Sequence, residues 1–297
     1  MFANIIDGRS IALQVQQDLL PRIAALKARG HPPGLAFVRV GEDLASKVYV
    51  GRKEKACADL GIYSKTHVMA EKTTEAELLQ VLHRLNGDVA LHGILVQSPL
   101  PSHIRSERVY SAVNPDKDVD GFHPVNMGKL VLGDTTGFIA CTPAGIRELL
   151  IRTDIKIQGT NVVVLGRGNI VGKPLAILLC QKQKHANATV TLCHSGTRDL
   201  KAHCLRADIL VAAMGVPEFV RADMVKPGAT VVDVGVNRVS DPSAKTGSRL
   251  VGDVAFDAVQ KIAGRITPNP GGVGPMTIAM LMQNTVLAAE RASGRET

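Results

Sequence analysis

Short apolar runs alternate with helix-length segments along most of the chain, and this alternation restricts its fold more than any other feature. In the first half, strands predicted at 35–40, 62–69 and 93–97 are separated by helices predicted at 45–60 and 74–87. Strands joined by helices of this length are typical of parallel βαβ units. The sequence therefore predicts an α/β fold with parallel sheets.

A second βαβ series follows a long irregular segment at 98–137, which is rich in Pro, Asp and Gly. Its strands are predicted at 162–165, 189–193, 209–213 and 230–234. A length of 297 residues suits two domains. We predict two domains with a cleft between them. One comprises residues 1–140 and a final helix within 276–297, and the other comprises residues 141–275.

The charge balance indicates an anionic small molecule as ligand. Lys and Arg total 35 against 27 Asp and Glu, a formal net charge of +8, and a basic protein favours anionic partners. The basic residues are dispersed, and the chain has no Trp, three Tyr and six Phe. These are too few for the aromatic platforms on which single-stranded nucleic acids stack. We therefore expect a phosphorylated or carboxylated small molecule and no nucleic acid.

The cysteines and the first residues indicate a reduced, cytoplasmic protein. The five cysteines have no C-x-x-C spacing, which argues against a disulfide framework or a zinc site. The nine histidines are scattered, so no metal site is expected. The first ten residues do not have the cationic start of a targeting segment. No stretch reaches the roughly 20 apolar residues that span a bilayer.

The segment from Gly166 to Gly172 has the pattern of a dinucleotide-binding loop. It follows a predicted strand directly, opens a predicted helix and contains a further glycine, Gly168. Glycines at such a turn let backbone N–H groups approach a pyrophosphate at the helix N-terminus. The third glycine lies one position later than in the standard G-x-G-x-x-G pattern. The surrounding strands and helices support a dinucleotide site despite this displacement.

The end of the next predicted strand indicates which dinucleotide binds. An NAD site usually has an Asp or Glu there for the ribose 2′-hydroxyl, and residues 193–198 contain none. Ser195, Arg167 and Arg198 can instead meet a 2′-phosphate, so we predict NADP. The alternative is that Ser195 caps a helix and that the two arginines are solvated.

Lys53 interrupts the apolar face of the helix predicted at 45–60. The residues that share this face are Tyr49, Ala56, Cys57 and Leu60. A lysine that faces the core is desolvated, which lowers its pKa and makes it a candidate general acid or base. Alternatively, its stem lies along the core while its ammonium group reaches water. Periodicity leaves both interpretations open.

Three further segments are candidates for ligand binding. Gln97 ends a predicted parallel strand, where ligands commonly bind, although a glutamine can also stabilise a turn. Asp118 and Asp120 can hold donors of a heterocycle, or can be ordinary turn residues. The Pro/Gly segment 268–275 combines stiffness with close backbone approach. We predict that it lines the cleft between the domains.

Six motifs then stand out in order along the chain. They are YVGRK at 49–53, VQSPLP at 96–101, PDKDVDGF at 115–122, CTPAGI at 141–146, GRGNIVGKP at 166–174 and PGGVGPMT at 270–277. Together they resemble the bifunctional methylenetetrahydrofolate dehydrogenase/methenyltetrahydrofolate cyclohydrolase family. The resemblance spans nearly the whole chain.

The resemblance implies two activities that belong to one-carbon metabolism and purine biosynthesis. NADP would oxidise 5,10-methylenetetrahydrofolate to 5,10-methenyltetrahydrofolate, and water would convert this product to 10-formyltetrahydrofolate. The domain at 141–275 would be a Rossmann-type NADP-binding domain, and the rest of the chain would be the folate-binding catalytic domain. A homodimer is also implied.

The family's pattern assigns roles to individual residues. Lys53 would manage protons in the hydrolytic step, and Gln97 would hold and tune it. Tyr49 would line the folate, and Asp120 would anchor the pterin. Further substrate contacts would come from Pro270, Gly271 and Gly272. The cofactor contacts would be Gly166, Arg167, Gly168, Ser195 and Val236.

Two positions depart from the family's pattern. Gly168 stands where the family usually has Ser, and Gly196 stands where it often has a basic residue. Arg198 is the substitute for the missing basic residue. Two other functions compete with the bifunctional enzyme. One is a shikimate-type NADP dehydrogenase acting on an anionic metabolite, and the other is a non-catalytic regulator that binds NADP or folate.

Overall fold

Two units, each with its own parallel sheet, make up the computed structural model, which describes residues 2–243 and 247–294. One, which we call the Lys53 unit, contains Leu13–Cys141 and Ile278–Thr297. The other, the glycine-loop unit, contains Met1–Ala12 and Thr142–Thr277. The predicted two-unit α/β fold with parallel sheets is confirmed.

Strands and helices alternate through both units. The strands are β1 (Asn4–Ile5), β2 (Gly34–Val40), β3 (Tyr63–Met69), β4 (Gly93–Val96), β5 (Asn161–Leu165), β6 (Thr189–Cys193), β7 (Ile209–Ala212), β8 (Thr230–Asp233), β9 (Asn237–Ser240), β10 (Ser248–Val251) and β11 (Arg265–Ile266). The α-helices are α1 (Gly8–Ala28), α2 (Leu44–Leu60), α3 (Glu75–Gly87), α4 (Ser106–Ala112), α5 (Pro124–Leu132), α6 (Cys141–Arg152), α7 (Gly172–Cys180), α8 (Leu200–Leu205), α9 (Phe256–Val259) and α10 (Val273–Ala292). Within the described ranges, none of these helices has the length and apolar character needed to cross a membrane.

The sheet of the Lys53 unit has the strand order β3-β2-β4, and both pairings are parallel. Every residue of the central strand β2 is buried, as expected of a nearly continuous apolar run covered on both faces. α3 begins at a capping box in which Thr74 and Glu77 exchange side-chain and backbone hydrogen bonds. Leu78 and Leu82 of α3 then share a hydrophobic core with Val38 of β2.

The glycine-loop unit has a six-stranded sheet with the order β1-β11-β8-β7-β5-β6. All of its neighbouring strands are parallel. The chain runs from β5 to β6 on one side of β5 and then crosses over to β7 on the other side. In open parallel sheets, ligands bind at such a switch point, outside the carboxyl ends of the strands. A separate antiparallel pair joins β9 to β10.

The structure corrects the predicted domain boundary at the N-terminus. Residues 1–140 are predicted in one domain, but Met1–Ala12 belongs to the glycine-loop unit. The reason is that β1 pairs with β11, with Asn4 opposite Arg265 and Ile5 opposite Ile266. Each of these strands has two residues, which is too short for an alternating pattern to appear in the sequence.

A bidentate ion pair joins α1 to α10 within the Lys53 unit. Arg22 donates from Nε and Nη2 to the carboxylate of Glu290, at 3.0 and 2.6 Å. The side chain of Glu290 is 4% exposed, whereas that of Arg22 is 34% exposed. A carboxylate buried to this degree depends strongly on its charged partner.

Arg22→Met is expected to lower the free energy of unfolding by about 3 kcal/mol, because it removes the guanidinium that faces a buried carboxylate. The matched control is Lys55→Met, which removes an exposed ion pair with Asp59 and should change the free energy by less than about 1 kcal/mol. Urea unfolding followed by circular dichroism measures both variants. Equally small effects would show that the Arg22–Glu290 pair does not stabilise the unit.

Candidate active site

Lys53 lies on the buried face of α2. The helix begins after Asp43, whose carboxylate accepts the N–H of Ser46 at 2.7 Å. It ends at Gly61, which has a φ of 67° in the left-handed region that favours glycine. The buried residues of α2 are Ser46, Val50, Lys53, Ala56, Cys57 and Leu60. Only 7% of Lys53 is exposed. The lysine is therefore buried on the same face of α2 as its apolar neighbours.

A hydrogen bond to Gln97 holds the ammonium group of Lys53 inside the unit. Lys53 Nζ donates to Gln97 Oε1 at 3.0 Å, and Gln97 Nε2 donates to the carbonyl oxygen of Ser98 at 2.6 Å. Gln97 follows β4 directly, at the carboxyl end of the sheet. The structure therefore decides between the two orientations that periodicity leaves open. The amine contacts Gln97, and the alternative in which it extends to water is wrong.

Burial and nearby charge act in opposite directions on Lys53. Burial lowers the pKa of Lys53 below its usual value, whereas the Asp120 carboxylate and the Cys141 sulfur raise it. Burial also raises the pKa of Asp120, and the charge of Lys53 opposes this effect. A lysine with a lowered pKa is more often neutral near pH 7, and a neutral amine can accept a proton.

The two carboxylates of the DVDG segment have different surroundings. Asp118 is 5% exposed, and its carboxylate accepts the N–H groups of Phe122 at 3.2 Å and His123 at 2.8 Å. It also accepts Nδ2 of Asn126 at 2.9 Å, and burial raises the pKa of Asp118 to about 6. These bonds identify Asp118 as the residue that stabilises the turn. Asp120 is the carboxylate that interacts with Lys53.

Asn284 and Cys141 belong to this region and are missing from the sequence-based assignment. Asn284 Nδ2, on α10, donates to the carbonyl oxygens of Val119 at 2.8 Å and Ile139 at 3.1 Å. The thiol of Cys141 also donates to the carbonyl oxygen of Val119, at 3.3 Å. These contacts join the chain next to Asp120 to the start of α6. The interruption of the apolar stripe of the last helix by Asn284 is the one sequence signal for this role.

Tyr49 completes the set of predicted residues in the Lys53 unit. It lies one turn before Lys53 on α2 and is half-buried. The unit therefore offers an amine, an amide, a carboxylate and a phenol ring. These groups can transfer a proton at Lys53 Nζ and bind hydrogen-bond donors at Asp120. Among the residues that the structure describes, no group of three or more His, Cys, Asp and Glu side chains is arranged to hold a metal ion.

The loop after β5 needs its glycines for close backbone contacts. Gly166 has a φ of 110°, and a Cβ at this position would lie 2.1 Å from the carbonyl oxygen of Ala213. A Cβ at Gly172 would lie 1.8 Å from the carbonyl oxygen of Gly166. Gly168 and Arg167 are exposed. Residues 167–170 between these glycines are exposed, so the backbone of the loop just before α7 is accessible, which is what a dinucleotide pyrophosphate requires.

Ser195 and Val236 lie at the same sheet edge as the glycine loop. Ser195 follows β6 and Val236 follows β8, and both are exposed. The helix-cap alternative for Ser195 is wrong. α8 begins after Asp199, whose carboxylate accepts the N–H of Ala202 at 3.3 Å. The Ser195 hydroxyl and the exposed Arg198 are therefore available at this edge for a ligand.

The predicted substrate loop belongs to the glycine-loop unit. Residues 270–272 follow β11, and Gly271 has a φ of 115°. Asn269 Nδ2 donates to the carbonyl oxygen of Gly235, which ties this loop to the one after β8. The predicted substrate contacts thus fall in both units, because Tyr49, Lys53, Gln97 and Asp120 all lie in the other one.

Two family models match the chain. Residues 6–120 match the tetrahydrofolate dehydrogenase/cyclohydrolase catalytic domain, and residues 140–293 match the NAD(P)-binding domain of the same family. A bifunctional protein FolD from Syntrophus aciditrophicus is 54% identical over 297 residues, covering 99% of this chain and 100% of the relative.

Two solved structures are also similar over almost their full length. The bifunctional enzyme FolD of Campylobacter jejuni, a methylenetetrahydrofolate dehydrogenase/cyclohydrolase, has a TM-score of 0.91 and 43% identity, covering 97% of this chain and 99% of that chain. The methylenetetrahydrofolate dehydrogenase-cyclohydrolase of Trypanosoma brucei, complexed with NADP cofactor and an inhibitor, has a TM-score of 0.93 and 41% identity. This second similarity covers 100% of both chains.

Asp120→Asn is expected to lower the pKa of Lys53 further, because it removes the carboxylate whose charge favours the ammonium form. An NMR titration of the Lys53 amine measures this shift. Asp59→Asn, which alters the partner of the exposed Lys55, is the control and should leave the Lys53 titration unchanged. A Lys53 pKa that stays constant or rises in Asp120→Asn would contradict this electrostatic coupling.

Proposed function

The chain belongs to the tetrahydrofolate dehydrogenase/cyclohydrolase family, and we propose that it is a bifunctional enzyme with NADP as its cofactor. It oxidises 5,10-methylenetetrahydrofolate to 5,10-methenyltetrahydrofolate and hydrolyses this product to 10-formyltetrahydrofolate. The observation that carries the proposal is the hydrogen bond from the buried Lys53 to Gln97. It supplies an amine with a lowered pKa in the part of the chain that matches the family's catalytic domain.

The glycine-loop unit supports the dehydrogenase step. NADP, when bound, supplies the oxidant that accepts a hydride from the methylene carbon. Backbone N–H groups of residues 167–170, which are exposed and lie just before α7, would hold its pyrophosphate. The exposed Gly168 would form part of the same loop, and Val236 would line the neighbouring edge.

The preference for NADP over NAD is assigned to Arg167, which follows β5, and to the residues after β6. No acidic side chain follows this strand to bind a ribose 2′-hydroxyl. Ser195, Arg167 and Arg198 would hold the 2′-phosphate by charge-assisted hydrogen bonds. Gly168 and Gly196 offer no side chain, so the preference depends on these two arginines more than the family's pattern suggests.

Lys53 would act as the proton acceptor of the hydrolytic step. Water adds to the methenyl carbon, and the amine takes the proton that the water loses. The bond between this carbon and N5 then breaks, the remaining hydroxyl becomes the formyl carbonyl, and its proton is transferred to N5, which gives the 10-formyl product. The positive charge of the methenyl substrate would lower the pKa of Lys53 further. Gln97 keeps the Nζ atom in place, and Asp120 would accept hydrogen bonds from the pterin N–H groups. Tyr49, Pro270, Gly271 and Gly272 would contact the substrate.

The two other functions account for fewer of the observations. A shikimate-type dehydrogenase would explain the glycine loop but not the Lys53–Gln97 pair. A non-catalytic regulator would not need an amine whose pKa is lowered by burial. The homodimer and the cytoplasmic location stay predictions.

The purified protein is expected to form methenyl and formyl products when supplied with methylenetetrahydrofolate and NADP. We expect kcat/KM with NADP to exceed that with NAD by about tenfold or more, because NAD cannot form the charge-assisted bonds to the 2′-phosphate. Absorbance of the reduced cofactor and of the methenyl product measures both reactions. No turnover with either dinucleotide would overturn the proposed function, and faster turnover with NAD would overturn the cofactor assignment.

Lys53→Met is expected to reduce the hydrolysis of methenyltetrahydrofolate by about a hundredfold or more, since it removes the general base. NADP should bind as in the wild type, because Lys53 lies outside the glycine-loop unit. The control is Lys55→Met, which removes an exposed lysine of the same helix. Hydrolysis that persists in Lys53→Met would show that the lysine has only a structural role.

A further inference from the structure

Two aspartates are buried in the glycine-loop unit and are not among the predicted substrate or cofactor contacts. Asp233 is 3% exposed and Asp253 is 0% exposed. Burial raises the pKa of Asp233 to about 6, and the charge of Asp253 adds to this effect. In the described part of the chain, their hydrogen-bond donors are backbone N–H groups and one amide. Carboxylates buried in this way are costly unless their hydrogen bonds are complete.

Asp233, the last residue of β8, receives three backbone hydrogen bonds. Its Oδ1 atom accepts the N–H groups of Gly235 at 3.0 Å and Asp253 at 2.9 Å. Its Oδ2 atom accepts the N–H group of Val254 at 3.2 Å. The carboxylate thus joins the loop after β8 to the segment after β10.

Asp253 extends the connection to a third loop. Its Oδ2 atom accepts the N–H groups of Met214 at 2.6 Å and Gly215 at 2.9 Å, both after β7. Its Oδ1 atom accepts Nδ2 of Asn237 at 2.9 Å. The two carboxylates together hold the chain after β7, after β8 and after β10 in one arrangement.

Two glycines make room for these carboxylates. A Cβ at Gly252 would lie 1.6 Å from Oδ2 of Asp233, and a Cβ at Gly235 would lie 2.2 Å from Oδ1 of Asp253. Any other residue at either position would displace the carboxylate or the loop. The local sequence is therefore compatible with this arrangement only because both positions are glycine.

We call the carboxyl ends of β5, β6 and β8, where the glycine loop, Ser195 and Val236 lie, the dinucleotide edge. The loops joined by the two aspartates contact or form part of this edge. Ala213, whose carbonyl oxygen lies against Gly166, directly precedes Met214. Val236 lies between Gly235 and Asn237, and each of these neighbours is bonded to one of the carboxylates. A change at either aspartate would therefore move backbone that contacts the glycine loop and that carries Val236.

We propose that Asp233 and Asp253 are positioning residues that set the dinucleotide edge in its binding geometry before NADP arrives. This proposal rests on the proposed function, because it assumes that NADP binds at this edge. Loops held in place beforehand lose less conformational entropy on binding, and this increases affinity. Both side chains must be ionised carboxylates, because every carboxylate oxygen accepts at least one N–H group. A protonated oxygen would be a donor that faces other donors.

Asp253→Asn tests the proposal with almost no change in shape. The amide replaces one accepting oxygen with an NH₂ group that faces N–H donors, so we expect the Kd for NADP to rise by about tenfold or more. Isothermal titration calorimetry with NADP measures the Kd and the fraction of competent protein. Hydrolysis of methenyltetrahydrofolate, assayed without NADP, should keep its kcat within about twofold, because Lys53 and Gln97 lie in the other unit. A merely structural role would instead reduce the competent fraction and leave the Kd unchanged.

Asp208→Asn is the matched control. Asp208 lies just before β7, at the opposite edge of the same sheet, where it accepts the N–H of Asn161 at 2.8 Å and pairs with Lys226 at 2.6 Å. This variant should bind NADP with the wild-type Kd. If Asp253→Asn does not fold, Asn237→Ala replaces it, because it removes one hydrogen bond to Asp253 and leaves the buried carboxylates in place.

The outcomes separate this inference from the proposed function. A wild-type protein that does not bind NADP would overturn both. Wild-type binding with an unchanged Kd in Asp253→Asn, or in Asn237→Ala where that variant is used, would overturn the positioning role only. A raised Kd in the tested variant with a normal Kd in Asp208→Asn would support it.

Discussion

Parallel pairing of the strands is the constraint on which both candidate sites depend. It collects the carboxyl ends of strands that are far apart in sequence at a single edge of each sheet. Gln97 follows β4 in one unit, while the glycine loop, Ser195 and Val236 follow β5, β6 and β8 in the other. Each functional segment can then be short, because the sheet and not the loop sets its position.

Hydrogen bonds stabilise buried ionisable groups at three places in the structure. Lys53 and Gln97 form one case, and Asp118 with its three donors forms another. The Asp233–Asp253 pair is the third. In each case the group is removed from water, which is unfavourable, and a fixed set of partners offsets much of that cost. The difference lies in the partners: backbone N–H groups hold a turn or loop in place, whereas a single amide leaves Lys53 able to exchange a proton.

Much of the fold could be predicted because long elements show clear periodicity. The stripe of α2, the capping box of α3 and the apolar strands β2 and β5 all appear in the sequence. The short strands β1 and β11 and the β9–β10 pair could not be predicted, because two to four residues do not establish a period. For the same reason the sequence pattern does not show that Met1–Ala12 belongs to the glycine-loop unit.

The sequence by itself determined the order of the longer strands and helices, the glycine positions after β5, the absence of an acid after β6 and the place of Lys53 on an apolar face. These are local properties, set by period and residue type. Only the tertiary structure decided that the Lys53 amine contacts Gln97, 44 positions away. It also decided that Asp118 supports a turn while Asp120 interacts with Lys53, and that Asn284 contacts the chain beside Asp120. A hydrogen bond depends on a few ångströms between atoms, and the packing of distant segments sets that distance.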